Sequence, residues 1–324
     1  MKHTVDKKFF PGWTRKAITF TIDDGNVPMD KKFIDIVKPA GIVGTFNLFS
    51  SNLGYMTPDG YREMYRDYEI GNHVKHHPSI FRDGEDFVFC DEPFSVESEE
   101  YDKLYKHPDI EGLGYFHVTK RWPNHERQGS KGWTKIAQTV DDYIRFSEES
   151  RVELEELFGK DKVRGFIWPG GIQNNSELIA RLRAMGYESL RRAGSPAAGT
   201  NAFDLPADRL DWVYNANHRN ITATSEMFES LSDDGELKFF AIGVHSVDYE
   251  REDKWDDLKD FAEKFGNRKS EYFYATVGEI FDYEDAINAL VVTDDEIVNN
   301  SSLDMYIKLD GENIIVKANS TYTF

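Results

Sequence analysis

The chain holds a single cysteine, Cys90, among its 324 residues. That excludes an intramolecular disulfide and any metal cluster held by several thiolates. Basic residues are in short supply: 39 lysines and arginines stand against 58 aspartates and glutamates, a formal net charge of −19. So acidic a chain repels phosphate backbones and anionic lipid, and neither nucleic acid nor a membrane is an expected partner. Long uncharged apolar runs are missing, so no transmembrane helix is expected. Residues 1–16 are polar and charged. They lack the apolar core and small-residue cleavage site of a secretory signal, so the chain as it stands reads as cytoplasmic.

What is present is ordinary for a folded protein: 40% hydrophobic and 30% charged residues, enough for a sizeable core. The length suits one large α/β domain with an appendage, or two ordinary domains. Aromatic residues are abundant at 14%. Most belong to a core, while Trp122, Trp133 and Trp168 are candidate platforms for stacking on sugar rings.

Strand and helix patterns alternate along most of the chain. Residues 17–22 form an apolar, β-branched run that stops at Asp23-Asp24-Gly25, and a helix follows over 29–38. A second strand covers 43–49, and a short helical pattern at 60–68 leads into Ile70-Gly71-Asn72-His73. Residues 81–131 break the rhythm and read as an insertion beside the reactive face, or as surface decoration. Alternation then resumes, with a helix at 134–158, a strand at 163–168 and a helix at 176–184. Further strands are expected at 187–190, 239–244 and 272–275, with helices at 255–265 and 277–290. This order predicts parallel strands covered by helices. In the tail, residues 303–309 and 313–318 alternate around Asp310-Gly311, a hairpin signal. The expected division is therefore a catalytic part, 1–290, and a small β appendage, 291–324.

The polar motifs share one property: each follows a strand. In an α/β barrel the strand ends form the reactive face, so residues far apart in sequence converge there. Adjacent carboxylates Asp23 and Asp24 can divide labour, one on a metal and one on a water proton, although Asp-Asp-Gly is also a common turn. Gly25 permits the sharp turn. In His73-Val74-Lys75-His76-His77-Pro78, histidines at i and i+4 share one face of a helical turn and suit a divalent metal, with His76 off that face. With one upstream carboxylate, two histidines hold a metal and leave positions open for water and substrate. His245, after the 239–244 strand, is either a general acid or a hydrogen-bonded structural histidine. In Trp168-Pro169-Gly170-Gly171, the Gly170 N–H can serve as an oxyanion donor, or the segment is a plain loop.

The order of these motifs resembles that of the polysaccharide deacetylases, the NodB-like proteins of carbohydrate esterase family four. The likeness rests on Thr21-Ile22-Asp23-Asp24-Gly25, the 73–78 histidine motif, Trp168-Pro169-Gly170-Gly171 and Val244-His245, and spans roughly residues 15 to 290. It implies a distorted (β/α) barrel and a divalent metal, Zn²⁺ first, with Co²⁺, Ni²⁺ or Fe²⁺ compatible. It implies Asp24, His73 and His77 as metal ligands, Asp23 as general base, Gly170 as oxyanion donor and His245 as general acid. The implied reaction removes acetyl groups from an acetylated sugar or polysaccharide.

The chain departs from the family pattern at three points. Ile167 stands where the family often has an arginine that positions the base, with Arg191 or Arg192 as possible replacements. Val74 stands where a serine or threonine usually braces the metal motif. The carboxylate that usually tunes the acid histidine has no clear counterpart in the sequence, and Asp208, Asp211 and Asp248 are the candidates. His218, placed near the reactive face by the same resemblance, and Arg192 are candidate substrate contacts, with Trp168 as a sugar platform. Two alternatives compete: a metal-dependent hydrolase of cyclic amides, and a carbohydrate-binding pseudoenzyme. The second has no need of this full set of acids and histidines.

Overall fold

A computed structural model describes residues 3–75, 79–80, 89–90, 104–106, 115–117, 133–134, 136–137, 140–169, 176–192, 194 and 199–324. Most of the expected 81–131 insertion, Trp122, His77 and Gly170 lie outside them. Seven strands are the frame: β1 Lys16–Asp23, β2 Gly44–Leu48, β3 Glu69–Asn72, β4 Val163–Ile167, β5 Ser189–Arg191, β6 Lys238–His245 and β7 Tyr272–Tyr274. The helices are α1 Val27–Val37, α2 Pro58–Met64, α3 Val140–Phe158, α4 Ser176–Ala184, α5 Ile221–Glu229, α6 Ser246–Arg251, α7 Trp255–Phe265 and α8 Val277–Ala289. The fold is α/β with parallel strands, as the alternation predicts. Among the described residues no helix is long and apolar enough to cross a membrane.

The chain forms two compact units. The first comprises Met1–Phe46, Glu63–Glu69 and Gly194–Phe324. Here β6 runs parallel to β1 along its full length, from Lys238 opposite Lys16 to His245 opposite Asp23. Both strands are buried almost throughout, which is why they read as continuous apolar runs rather than alternating ones. β7 pairs with the first residues of β1. Helix α1 starts with Asn26 accepting from the Met29 N–H, and α8 with a full capping box between Thr276 and Glu279. Buried Glu69 accepts from the Thr45 and Thr276 hydroxyls and the Gly278 N–H, anchoring the first turn of α8.

The tail adds β8 Val291–Val292, β9 Glu296–Asn299, β10 Met305–Leu309, β11 Glu312–Val316 and β12 Ser320–Thr323. β10 and β11 pair as an antiparallel hairpin around Asp310 and Gly311, and Val5–Asp6 adds a third strand against β10. Ile297, Met305, Ile307 and Val316 share one core with Phe239, Ala241, Ile280 and Phe281, so the tail is packed onto this unit.

The second unit comprises Asn47–Arg62 and Ile70–Ala193. β4 runs parallel to β5 and to the end of β3, with Phe166 opposite both Leu190 and Asn72. Gly71 allows close approach: a Cβ there would collide with the Asn47 side-chain oxygen. The helix expected from 134 begins at Val140 instead. Before it, Ile136–Ala137 pair in parallel with Ser79–Ile80, so sheet hydrogen bonding takes the backbone that the helical pattern claimed.

Candidate active site

In the first unit, β1 delivers Asp23 and Asp24. Asp23 is the last residue of the strand and is buried. Asp24 and Gly25 both adopt left-handed backbone, φ 78° and 69°. The turn therefore needs two residues in that region, and aspartate tolerates it better than most side chains. Strained backbone of this kind concentrates at functional sites.

The register of β6 on β1 sets His245 beside Asp23. His245 Nε2 lies 3.7 Å from Asp24 Oδ2. Its Nδ1 donates to Asp248 Oδ2 at 3.0 Å. Asp248 sits one turn into α6, so the short helix after β6 carries the partner of His245 back to it. Of the three candidate carboxylates, the geometry selects Asp248. Asp208 instead caps the backbone N–H of Leu210. Burial alone would drive the proton off His245, but Asp24, Asp248 and Asp23 outweigh it and raise its pKa to about 9. Asp248 is held below the usual carboxylate range: burial pushes it up, and His245 overcomes that.

His218 stands behind this pair, on the turn before α5. It is buried, with a side-chain exposure of 6%. Its Nδ1 is 3.9 Å from Asp248 Oδ2, and its Nε2 is 3.1 Å from Glu252 Oε2. Asp30, on α1, was not foreseen. It is fully buried and accepts from the hydroxyls of Tyr65 at 2.7 Å and Ser246 at 2.5 Å. Ser246 follows His245, so Asp30 ties α1 to the turn that presents His245. Burial, and less strongly Asp24, raise the Asp30 pKa to about 7, although the two hydroxyls pull it down. The only sequence signal was an acidic residue at an inward position of α1.

In the second unit, His73 follows β3. The expected helical turn is absent at its start, because Val74 is left-handed, φ 64°. Asn72 explains this: its Oδ1 accepts the Val74 N–H at 2.9 Å, an Asx turn. The Asn72 Nδ2 also donates to the Ser147 carbonyl and to the Tyr187 hydroxyl. The His73 backbone N–H donates to the Leu48 carbonyl at 2.9 Å. Its ring Nδ1 lies 3.0 Å from the Ile167 carbonyl oxygen. A carbonyl only accepts, so Nδ1 carries the proton and Nε2 carries the lone pair of the neutral ring. That is the tautomer a metal ligand needs. The departure at position 167 thus leaves intact a backbone acceptor that orients His73.

The residues present fit a divalent metal on that observation. Asp24 belongs to the first unit and His73 to the second, while His77 lies outside the described residues. Among the described residues no cluster of three or more potential ligands forms. Trp168 is 3% exposed, with its ring edge-on to Phe166 at 5.2 Å. A stacking platform needs an open ring face, and this ring is packed in the core of its unit. Arg191 is fully buried in β5, and Arg192 follows it, half-buried.

The family model for polysaccharide deacetylases matches residues 12–190, more than half of the chain. The match takes in the Asp23-Asp24-Gly25, 73–78 and 168–171 motifs and ends before His245. The chain therefore belongs to the polysaccharide deacetylase family, a class of deacetylating hydrolases. Solved structures of low identity are similar. The CE4 domain of a xylanase from the hindgut metagenome of Trinervitermes trinervoides is 14% identical over 84% of this chain and 93% of its own, TM-score 0.47. A family 4 acetyl xylan esterase from Clostridium thermocellum, in complex with a cobalt ion, is 13% identical over 83% and 92%, TM-score 0.45. A chitin deacetylase from Colletotrichum lindemuthianum is 15% identical over 82% and 87%, TM-score 0.45. No curated protein sequence matches the chain.

Proposed function

We propose that this chain removes acetyl groups from an acetylated sugar or polysaccharide, with Asp23 as base and His245 as acid. The observation that carries this reading is His245, set by strand register beside Asp23, with Nδ1 held by Asp248 and Nε2 toward Asp24. The catalytic part is residues 1–290. The tail, 291–324, is an appendage fused to it through a shared core.

In this reading Asp24, His73 and His77 hold a divalent metal, Zn²⁺ first. When bound, such a metal polarises the acetyl carbonyl and lowers the pKa of a coordinated water. Asp23 takes the proton from the attacking water. The Gly170 N–H donates to the oxyanion of the tetrahedral intermediate. His245, whose Nδ1 is held by Asp248, donates from Nε2 to the departing amine or alcohol. The Asp248 bond points the other ring nitrogen toward the reaction. Arg192 is a candidate contact for the sugar. The expected substrate contacts His218 and Trp168 are both buried, which favours supporting roles for them.

The test is acetate release from acetylated chito- and xylo-oligosaccharides by the metal-loaded protein, with ring opening of cyclic amides assayed in parallel. Acetate release that requires metal and disappears in His245→Ala supports the reading. Ring opening without acetate release sinks it.

A further inference from the structure

Beyond the acid histidine and its partner, the first unit contains a row of alternating imidazole and carboxylate groups: His245, Asp248, His218, Glu252. The first link is the 3.0 Å hydrogen bond from His245 to Asp248. The second is the 3.9 Å approach of His218 Nδ1 to the same Asp248 oxygen. The third is the 3.1 Å approach of His218 Nε2 to Glu252. Arg219 closes the row, donating from Nε to Glu252 Oε2 at 2.9 Å. We propose that His218 and Glu252 are positioning residues for the acid, holding Asp248 against His245 without touching the substrate. The inference rests on the deacetylase reading above.

Three observations argue for positioning rather than substrate contact. His218 is buried and both of its ring nitrogens face carboxylates, so neither points to open solvent. Its backbone is fixed: Asn217 accepts from the Arg219 N–H and Asn220 Oδ1 accepts from the Asn217 N–H, while the Gly243 N–H donates to Ala216 just upstream. The ring is further set edge-on to Tyr249 at 5.9 Å, and Tyr249 stacks on Trp255. A loop built to greet a substrate does not need this many constraints on a buried ring.

The row also has an electrostatic reason. Asp248 is a carboxylate in a half-buried place, where ionisation is costly unless cations or donors face it. His245, His218 and Arg251 supply them. Without His218, Asp248 Oδ2 keeps His245 and loses its other neighbour, and the Arg251 bond to Oδ1 can draw the carboxylate away from His245. The Nδ1 bond that orients the acid then weakens. Glu252 is held well down in its pKa, to about 2, first by Arg219 and then by His218, so it stays an acceptor across the working range.

The experiment uses the full-length metal-loaded protein with His218→Ala, His218→Gln, Glu252→Gln and His218→Ala/Glu252→Gln. His218→Ala is expected to lower kcat about tenfold with KM unchanged, since a general acid supplies ~10²- to 10⁴-fold and only part is lost. His218→Gln keeps a donor toward Glu252 and recovers much of that loss. Glu252→Gln costs less, and the double variant is no worse than His218→Ala alone, as expected for one chain. A rise in KM with kcat preserved assigns His218 to the substrate and overturns the proposal, as does an unchanged kcat. Imidazole ¹⁵N spectra give a readout independent of turnover. The His245 resonances shift in His218→Ala if the row is real, and their staying put overturns it. If the unaltered protein releases no acetate, the deacetylase reading fails, while the spectra still decide the row.

Discussion

Two histidines stand at the ends of two strands in this molecule, and they are held by opposite means. His73, after β3, is fixed by neutral groups: the Ile167 carbonyl takes its ring proton, the Leu48 carbonyl takes its backbone N–H, and Asn72 shapes the next turn. His245, the last residue of β6, is fixed by charge, with Asp248 on one ring nitrogen and Asp24 toward the other. The difference matches the chemistry proposed for each. A metal ligand must present a lone pair, so a neutral acceptor on the far nitrogen sets the tautomer without pulling on charge. A general acid must carry a proton at working pH, so carboxylates gather round it. On the proposed reading the same residue type takes two roles through its surroundings, and each surrounding can be altered separately.

The largest expected effects come from the two histidines themselves. His73→Ala should cost about 10³-fold or more in kcat/KM together with metal retention. His245→Ala should leave metal content unchanged while costing about 10²- to 10⁴-fold in kcat. Metal content by mass spectrometry, set beside acetate release, separates the two; loss of metal in His245→Ala would break the comparison. Asp248→Asn comes next. It keeps the side-chain shape but offers the Nδ1 of His245 a weaker, uncharged acceptor. A loss in kcat of about 10- to 100-fold, with metal content intact, is the expected result.

On the charged side, Asp30 links the setting of His245 to stability. It is fully buried, and its pKa of about 7 lies above that of an exposed aspartate. The folded state therefore binds the proton more tightly than the unfolded chain. Its contribution is fully present below about pH 4 and is lost as pH rises through about 7. A shift of this size corresponds to about 4 kcal/mol at most. Asp30→Asn has no such titration. The difference in Tm between the original protein and this variant should thus move against the original protein from pH 5 to pH 8. A pH-independent difference would show that Asp30 does not change its proton affinity on folding.

Asp30 also marks where sequence reasoning stopped. The strand ends carrying Asp23, His73 and His245 were legible, because a buried parallel strand must be apolar along its length and turn polar where it leaves the sheet. The family motifs then divided the roles. What was not legible was the support. Nothing in the local pattern distinguishes Asp30 from any acidic residue in a helix's first turn, since its meaning comes from Ser246, far along the chain. Asn72 looked like part of a strand, and only its placement among Val74, Ser147 and Tyr187 shows it as the brace. The 73–77 spacing suggested a helical turn, but an asparagine before a histidine can seize the next N–H and send the backbone left-handed. The tail hairpin was visible at Asp310-Gly311. Its fusion to the α8 core was not, because hydrophobic alternation says that a face is buried and not against what.

The smallest expected effect tests whether the neutral side of the comparison is complete as it stands. Val74 occupies a position where the family usually has a hydroxyl, and Val74→Thr restores one with almost no change in shape. If that missing hydrogen bond weakened the motif, the variant would gain activity. The structure argues the other way. The Val74 N–H is already accepted by Asn72, and the side chain has no exposure, so an added hydroxyl is cut off from water. Burying it without a partner costs about 1–3 kcal/mol, and valine to threonine is not a neutral swap in a core for this reason. The backbone strain at φ 64° is unaltered, because threonine is also β-branched. The expected outcome is a Tm lowered by a few degrees, with kcat/KM within about threefold of the original. A clear gain in activity without loss of stability would mean that Asn72 does not brace the motif alone. The setting of His73 would then draw on a second side chain besides Asn72.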